Sequence, residues 1–261
     1  MGKLYIIPVY EHRVEIAEYA KKEDLQFEYN DFFLPSVLDD PAFVSERVKA
    51  YRSLGRDLSK DTMHGAFFDV TVFSYDKEIA RISEERMRQS MQIAGELGVR
   101  GVVFHGNYLP FLQRESYDTN WLLRTEESLR RILKEFPETE IFMENMFDST
   151  PEMLRRLAER LTDEKQFGLC FDYSHAILAG GMAETWMKEL SPYIRHMHIN
   201  DHCYAGDDHL VPGEGKNDWK LYDRLVRTYA PETTTLVEVK NFEESKSAVK
   251  FLRENRYYPV E

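Results

Sequence analysis

Eight short β-rich runs, separated by longer stretches of helical spacing, constrain this chain more than any other feature. The runs begin near Leu4 (LYIIPV), Leu25 (LQFEY), Thr62 (TMHGAF), Gly101 (GVVFHG), Glu140 (EIFMEN), Phe167 (FGLCFD), Ile194 (IRHMHIN) and Thr235 (TLVEV). Most are compact and apolar, as expected of parallel strands covered on their outer face by helices. Helical patterns fill the intervals at about 11–22, 41–54, 76–97, 119–136, 151–161, 182–190, 219–229 and 243–254. In the clearest, Ile79, Ile82, Met87, Met91, Ala94 and Leu97 recur at helical spacing, and Gly98 follows as a C-cap. Ser149-Thr150-Pro151-Glu152 is a helix start with proline at the first helical position.

Eight βα units in one chain favour a closed (β/α)₈ barrel over an open doubly wound sheet. The length of 261 residues is that of one such barrel. No composition shift, low-complexity tract or linker divides it, so residues 1–261 read as a single TIM-barrel domain of the α/β class. The GxGxxG turn of a dinucleotide fold is absent after the first run, and Gly213-Glu214-Gly215 sits late enough to read as a loop.

The formal net charge is −12, with 46 Asp+Glu against 34 Lys+Arg. That balance argues against nucleic acid as a default partner, because phosphate binding rests on Lys and Arg. Basic pairs in RTEESLRRILK and MLRRLAER read as solvated helix faces. Cys170 and Cys203 are the two cysteines, too few for a disulfide framework, which fits a reducing compartment. No stretch approaches the roughly 20 apolar residues that span a bilayer, and the first residues lack a secretory or myristoylation pattern. The expectation is a cytoplasmic protein with no membrane partner; oligomeric state is left open.

The ionisable residues gather at the ends of the runs. His64, His105, Glu144, Asp172, His198 and Glu238 close the third to the eighth, His175 follows Asp172 by three, and Asp207 and His209 lie after the seventh. In a (β/α)₈ barrel the strand ends converge on one cavity at the C-terminal face, while mid-strand positions are expected to stay apolar. One such residue alone is ordinarily hydrogen-bonded or partly solvated. This many buried charges together are costly unless a metal or opposite charges compensate them. Lys240 is the nearest cation in sequence, so a divalent metal is the economical explanation.

The other histidines carry less. His196 points to the same face as His198, one layer deeper, as support or as packing. His202 reads as a surface residue and His12 as solvated at the start of the first helix. Cys170 reads as a small buried hydrophobe, and a carboxylate-rich site does not require Cys203 as a ligand.

The segments HGAF (64–67), AGELGVRGVVFHG (94–106), FMEN (142–145), FDYSHA (171–176), HMHIND (196–201), DDHLVPGEG (207–215) and LVEV (236–239) resemble the xylose-isomerase-like barrel superfamily. That superfamily includes sugar epimerases, inosose dehydratases and isomerases, hydroxypyruvate isomerases and endonuclease IV. The resemblance runs in order from the third strand to the eighth. It implies one ion, Mn²⁺, Mg²⁺, Co²⁺ or Zn²⁺, on Glu144, Asp172, His198 and Glu238. In the endonuclease IV branch it implies three zinc ions, with His64, His105, His175, Asp207 and His209 as further ligands.

In the isomerase and epimerase branches the resemblance implies proton transfer through an enediolate of a sugar or polyol ketone. Glu144 and Glu238 are then the catalytic pair, and His64, His105, His175 and His209 contact substrate oxygens or a second metal. The alternative is a zinc phosphodiesterase acting at abasic sites in DNA. Such an enzyme needs groove-entering loops with Arg and aromatic wedges. The stretch NDFFLPSVLDDPAF contains no Arg, so the small-molecule reading is preferred.

Overall fold

The computed structural model describes residues 2–260 apart from 68, 113 and 181. Eight parallel strands follow one another around a closed barrel: β1 (Leu4–Ile6), β2 (Gln26–Tyr29), β3 (Thr62–His64), β4 (Gly101–His105), β5 (Glu140–Glu144), β6 (Phe167–Asp172), β7 (Ile194–Ile199) and β8 (Thr234–Val237). β8 pairs with β1 through Leu4↔Thr235, Tyr5↔Leu236 and Ile6↔Val237, which leaves the sheet without a free edge.

Strand alternation divides the barrel into two cores. Outward residues such as Ile6, Phe27, Met63, Val102, Met143, Phe171 and Met197 are buried against the helices in one continuous cluster. Inside, the apolar cluster is Val103, Phe142 and Cys170. Beside it lie polar inner positions: Glu28, Thr62, His196 and Thr234 join one hydrogen-bonded group. The expectation that mid-strand positions stay apolar therefore fails inside the barrel, where a polar network replaces part of the usual aliphatic filling.

The outer ring is α1 (Arg13–Lys22), α2 (Pro35–Leu38), α3 (Pro41–Arg52), α4 (Lys77–Leu97), α5 (Glu115–Glu135), α6 (Glu152–Arg160), α7 (Tyr173–Leu178), α8 (Ala183–Leu190), α9 (Trp219–Tyr229) and α10 (Phe242–Asn255). Caps fix where they start. Asp76 accepts the Glu78 and Ile79 amides at the head of α4, and Gly98 ends it at φ +82°. Only part of the expected apolar stripe of α4 is packed. Ile79 and Ile82 are exposed, while Ser83, Glu84 and Ser90 join Met87, Met91 and Ala94 on the buried face. Glu84 is tolerated there because Arg88 and Arg131 hold its two oxygens.

α5 begins four residues before the sequence pattern places it, because Tyr117 and Trp121 both pack inward. α2, one turn, and α7, under two turns, are too short to leave a periodicity to read. β7 carries an extra residue. Leu169 and Cys170 pair with Ile194 and His196, which leaves Arg195 to turn to the bottom of the barrel. There it meets Glu140 Oε2 at 3.1 Å, whose other oxygen is held by Arg100 Nε at 2.7 Å. This ion cluster closes the end of the barrel opposite the strand-end residues.

Candidate metal centre

The strand ends, the start of α7 and the loop after β7 bring all nine predicted residues together at one end of the barrel, in three groups of donors. Glu144, Asp172, His198 and Glu238 form one, His64, His105 and Glu144 a second, and His175, Asp207 and His209 a third. Within each group one donor atom per residue lies within 4.8 Å of the others. Glu144 belongs to two of them.

In the four-residue group, His198 Nδ1 is 3.4 Å from both Glu144 Oε1 and Glu238 Oε2. Asp172 is wholly buried, and its Oδ1 caps α7 by accepting the His175 amide at 2.6 Å. Asn145 fixes the strand end beside it, accepting the Asp172 amide at 2.8 Å and donating to its carbonyl at 2.9 Å. Both Glu144 oxygens, Asp172 Oδ2 and His198 Nδ1 are buried without a hydrogen bond. Orphaned lone pairs from two carboxylates and an imidazole, with the Glu238 carboxylate beside them, fit a divalent cation.

The flanking groups are aimed in the same way. His64 gives Nδ1–H to the Gly65 carbonyl at 3.0 Å, His175 to Asn145 at 2.9 Å and His209 to Glu238 at 3.2 Å. Each thereby keeps Nε2 as its inward donor, the tautomer that a metal ligand needs. His64 Nε2 lies 3.2 Å from His105 Nε2, and His105 Nε2 lies 3.2 Å from Glu144 Oε2. Asp207 Oδ2 is reached by His175 Nε2 at 3.3 Å and His209 Nε2 at 2.9 Å. Phe67 lies against His105 with ring centroids 4.7 Å apart, so one wall of the cavity is aromatic.

Electrostatics in the metal-free protein follow from this crowding. Burial pushes the Glu144 carboxyl up, but His198 and His105 outweigh it and hold it well below its ordinary range. Glu238 is lowered against burial by His198 and His209. Asp172 is pushed up to about 7 by burial, which His175 opposes and Glu144 and Glu238 reinforce. Burial lowers every one of these imidazoles; Cys170 and the surrounding carboxylates prevail at His198, and the carboxylates alone at His64 and at His209, which is raised to about 9, whereas His105 stays below its ordinary value. A cavity in which carboxylates and imidazoles must share protons is one that a divalent ion would reorganise.

Three residues depart from their sequence reading or were missed by it. His202, expected at the surface, is fully buried. The loop after β7 folds over it, and its ring accepts the Tyr204 amide at 3.1 Å. Glu28 was missed: it lies inside the barrel with its Oε1 3.0 Å from His198 Nε2. Its signal was the inward phase between Phe27 and Tyr29, both of which face outward. Asn145 was visible only as part of FMEN. His196 is fully buried one layer deeper, with Nε2 3.1 Å from Glu28 Oε2. His12 is solvated as expected, Cys203 is exposed, and buried Cys170 comes within reach of Glu144 and His198.

A family model described as xylose isomerase-like TIM barrel matches residues 19–255. The chain belongs to that family. A relative in sequence is the uncharacterized protein MJ1311 of Methanocaldococcus jannaschii, 27% identical over 202 residues, 74% of this chain and 68% of that protein. Family folds recur among solved structures. A D-tagatose 3-epimerase-like protein superposes with a TM-score of 0.74 at 22% identity, covering 96% of each chain. The TTHB071 protein of Thermus thermophilus, soaked with ZnCl₂, gives 0.72 at 23% identity over 97% of this chain and 96% of that one. Endonuclease IV of the same organism gives 0.66 at 18% identity over 96% of each. At these identities the likeness shows a shared fold. No helix among the described residues is long and apolar enough to cross a membrane.

Proposed function

We propose that this chain is a divalent-metal-dependent isomerase or epimerase acting on a sugar or polyol ketone. The observation that carries the reading is that Glu144 and Glu238, two ionised carboxylates, meet Asp172 and His198 in one four-donor group. The epimerase-like neighbour supports it by fold, and the zinc-soaked neighbour supports a metal in such a barrel.

Glu144, Asp172, His198 and Glu238 would hold the ion, which when bound supplies Lewis acidity toward a carbonyl and a neighbouring hydroxyl. The chain's own residues do the rest. Glu144 and Glu238 hold carboxylate oxygens at the cavity, one to take the proton from carbon and one to return it. His209 and His175, both raised and both held to Asp207 through Nε2, place positive charge beside the centre, where it favours negative charge on substrate oxygens. His64 and His105 lie beside the aromatic wall and orient hydroxyls. The test is incubation of the Mn²⁺-, Co²⁺- or Zn²⁺-loaded protein with a panel of ketoses in D₂O. Deuterium should enter the carbon next to the carbonyl, and a panel with no incorporation under any metal sinks the reading.

One observation favours a second reading, a zinc phosphodiesterase. Both flanking groups, His64–His105–Glu144 and His175–Asp207–His209, have a full set of donors. Metal analysis separates the two. One exchangeable ion per chain supports the isomerase, and three tightly held zinc ions with cleavage of abasic-site DNA support the hydrolase.

A further inference from the structure

The pinned histidines of the centre are of two kinds. His64, His175 and His209 turn Nε2 inward and give Nδ1–H to a backbone carbonyl. His198 is reversed: Nδ1 faces inward and Nε2 lies 3.0 Å from Glu28 Oε1, an ion-pair contact in which neither atom has a hydrogen-bond partner in the metal-free protein. Its outer partner is a carboxylate rather than a neutral carbonyl, and that carboxylate comes from β2, across the barrel.

Glu28 is itself fully buried and firmly held. Its Oε2 accepts Thr62 Oγ1–H at 2.7 Å and His196 Nε2–H at 3.1 Å, and His196 Nδ1 lies 2.6 Å from Thr234 Oγ1. One oxygen is thus anchored by its neighbours, and the other is offered to His198. Packing does not call for a charge there. A carboxylate inside a barrel is costly to desolvate, and an aliphatic side chain would fill the same space. Nor is Glu28 well placed as a ligand in its own right. It forms a three-residue group with His196 and His198, but Oε2 and both His196 nitrogens are already engaged.

We propose that Glu28 is a positioning residue for the metal centre. From its contact at 3.0 Å it would take the Nε2–H of His198 once the ring turns to a metal, so that Nδ1 is kept as the lone-pair donor facing Glu144, Asp172 and Glu238. The negative charge behind the ring also strengthens that donor, as carboxylates behind metal-bound imidazoles do. The proposal rests on reading the four-residue group as a metal site.

Two measurements on the full chain test it. In zinc-loaded, ¹⁵N-histidine-labelled protein, the His198 ring, assigned by its loss in H198Q, should bind zinc through Nδ1 and carry a slowly exchanging proton on Nε2. In chelator competition, E28Q, which keeps the shape and removes the charge, should bind zinc 10- to 100-fold more weakly than wild type. T62V, which removes one bond to Glu28 and leaves its charge, should lower the melting temperature of the metal-free protein without a comparable loss of affinity. Zinc on Nε2 of His198, zinc on Glu28, or an E28Q that binds zinc as wild type does each overturns the proposal while leaving the metal reading intact. Wild-type protein that takes up no zinc, manganese or cobalt overturns both. Should E28Q fail to fold, the ring assignment in wild type decides.

Discussion

Glu144 ends β5 with both oxygens buried and unbonded, within reach of five other donors of the centre. Its amide variant separates chemistry from folding, because Gln keeps the volume and loses the negative charge. E144Q and E238Q are each expected to lower turnover by about 10²–10⁴-fold, the range of a lost general acid or base, with far smaller changes in unfolding midpoint. Near-wild-type turnover in either metal-loaded variant would remove that residue from the catalytic pair. At this scale the sequence was informative wherever a polar residue closed an apolar run, as at His64, His105, Glu144, Asp172 and His198. It was misleading where side-chain phase mattered more than position. Glu28 sits mid-strand in QFEY, and only alternation with Phe27 and Tyr29 turns it inward. His202 follows the strand by three residues, and its burial depends on a loop whose path no local pattern announces.

The element that carries Asp207 and His209 is that loop, between β7 and α9, and one buried carboxylate organises it. Asp201 accepts the His202 and Asn217 amides with Oδ1, at 2.9 and 3.0 Å, and the Gly213 amide and Trp219 Nε1–H with Oδ2, both at 2.9 Å. The PGEG turn is shaped around it. Gly213 adopts φ +92°, and a Cβ on Gly215 would lie 2.3 Å from Asp201 Oδ1. In D201N an amide NH₂ must face N–H donors, so the variant should lose about 2–3 kcal/mol in urea unfolding. It should also weaken metal uptake at His175, Asp207 and His209 before it affects the four-residue group. Wild-type stability in D201N would mean that the loop is held by something else. The helices show how far periodicity reads an element. α9 falls where the pattern puts it, whereas the head of α5 and all of α2 and α7 are set by loop packing and caps.

For the whole molecule, proton linkage and metal linkage pull in opposite directions. In the metal-free fold Asp172 and Asp148 titrate at about 7 instead of 3.8, both chiefly through burial, and His209 at about 9 instead of 6.5. Groups raised on folding contribute stability below their unfolded pKa and lose it as pH rises through the folded one. The two aspartates act between about pH 4 and 7 and His209 between about 6.5 and 9. Glu28, Glu144, Glu238 and Asp207, all lowered on folding, lose their contribution as pH falls below the ordinary carboxylate range. The metal-free protein should therefore melt highest in mild acid and progressively lower toward pH 9. Because a metal on Glu144, Asp172, His198 and Glu238 would need those groups unprotonated, zinc should raise the melting temperature more at pH 8 than at pH 6. At a hundredfold excess over Kd the gain is about 2.7 kcal/mol, roughly 5–10 °C for a chain of this size. Calorimetry with and without chelator checks it; equal or reversed shifts would sever the link between metal and these carboxyls. The barrel as a whole was legible because eight repeats of one pattern leave few topologies, but its polar interior was not, since strands facing helices outside look alike whatever they face inside. Glu144 belongs to three of the donor groups, counting the one with Cys170 and His198, so His64, His105, Asp207 or His209 can each be replaced with the four-donor group left whole, whereas replacing Glu144 breaks three groups at once.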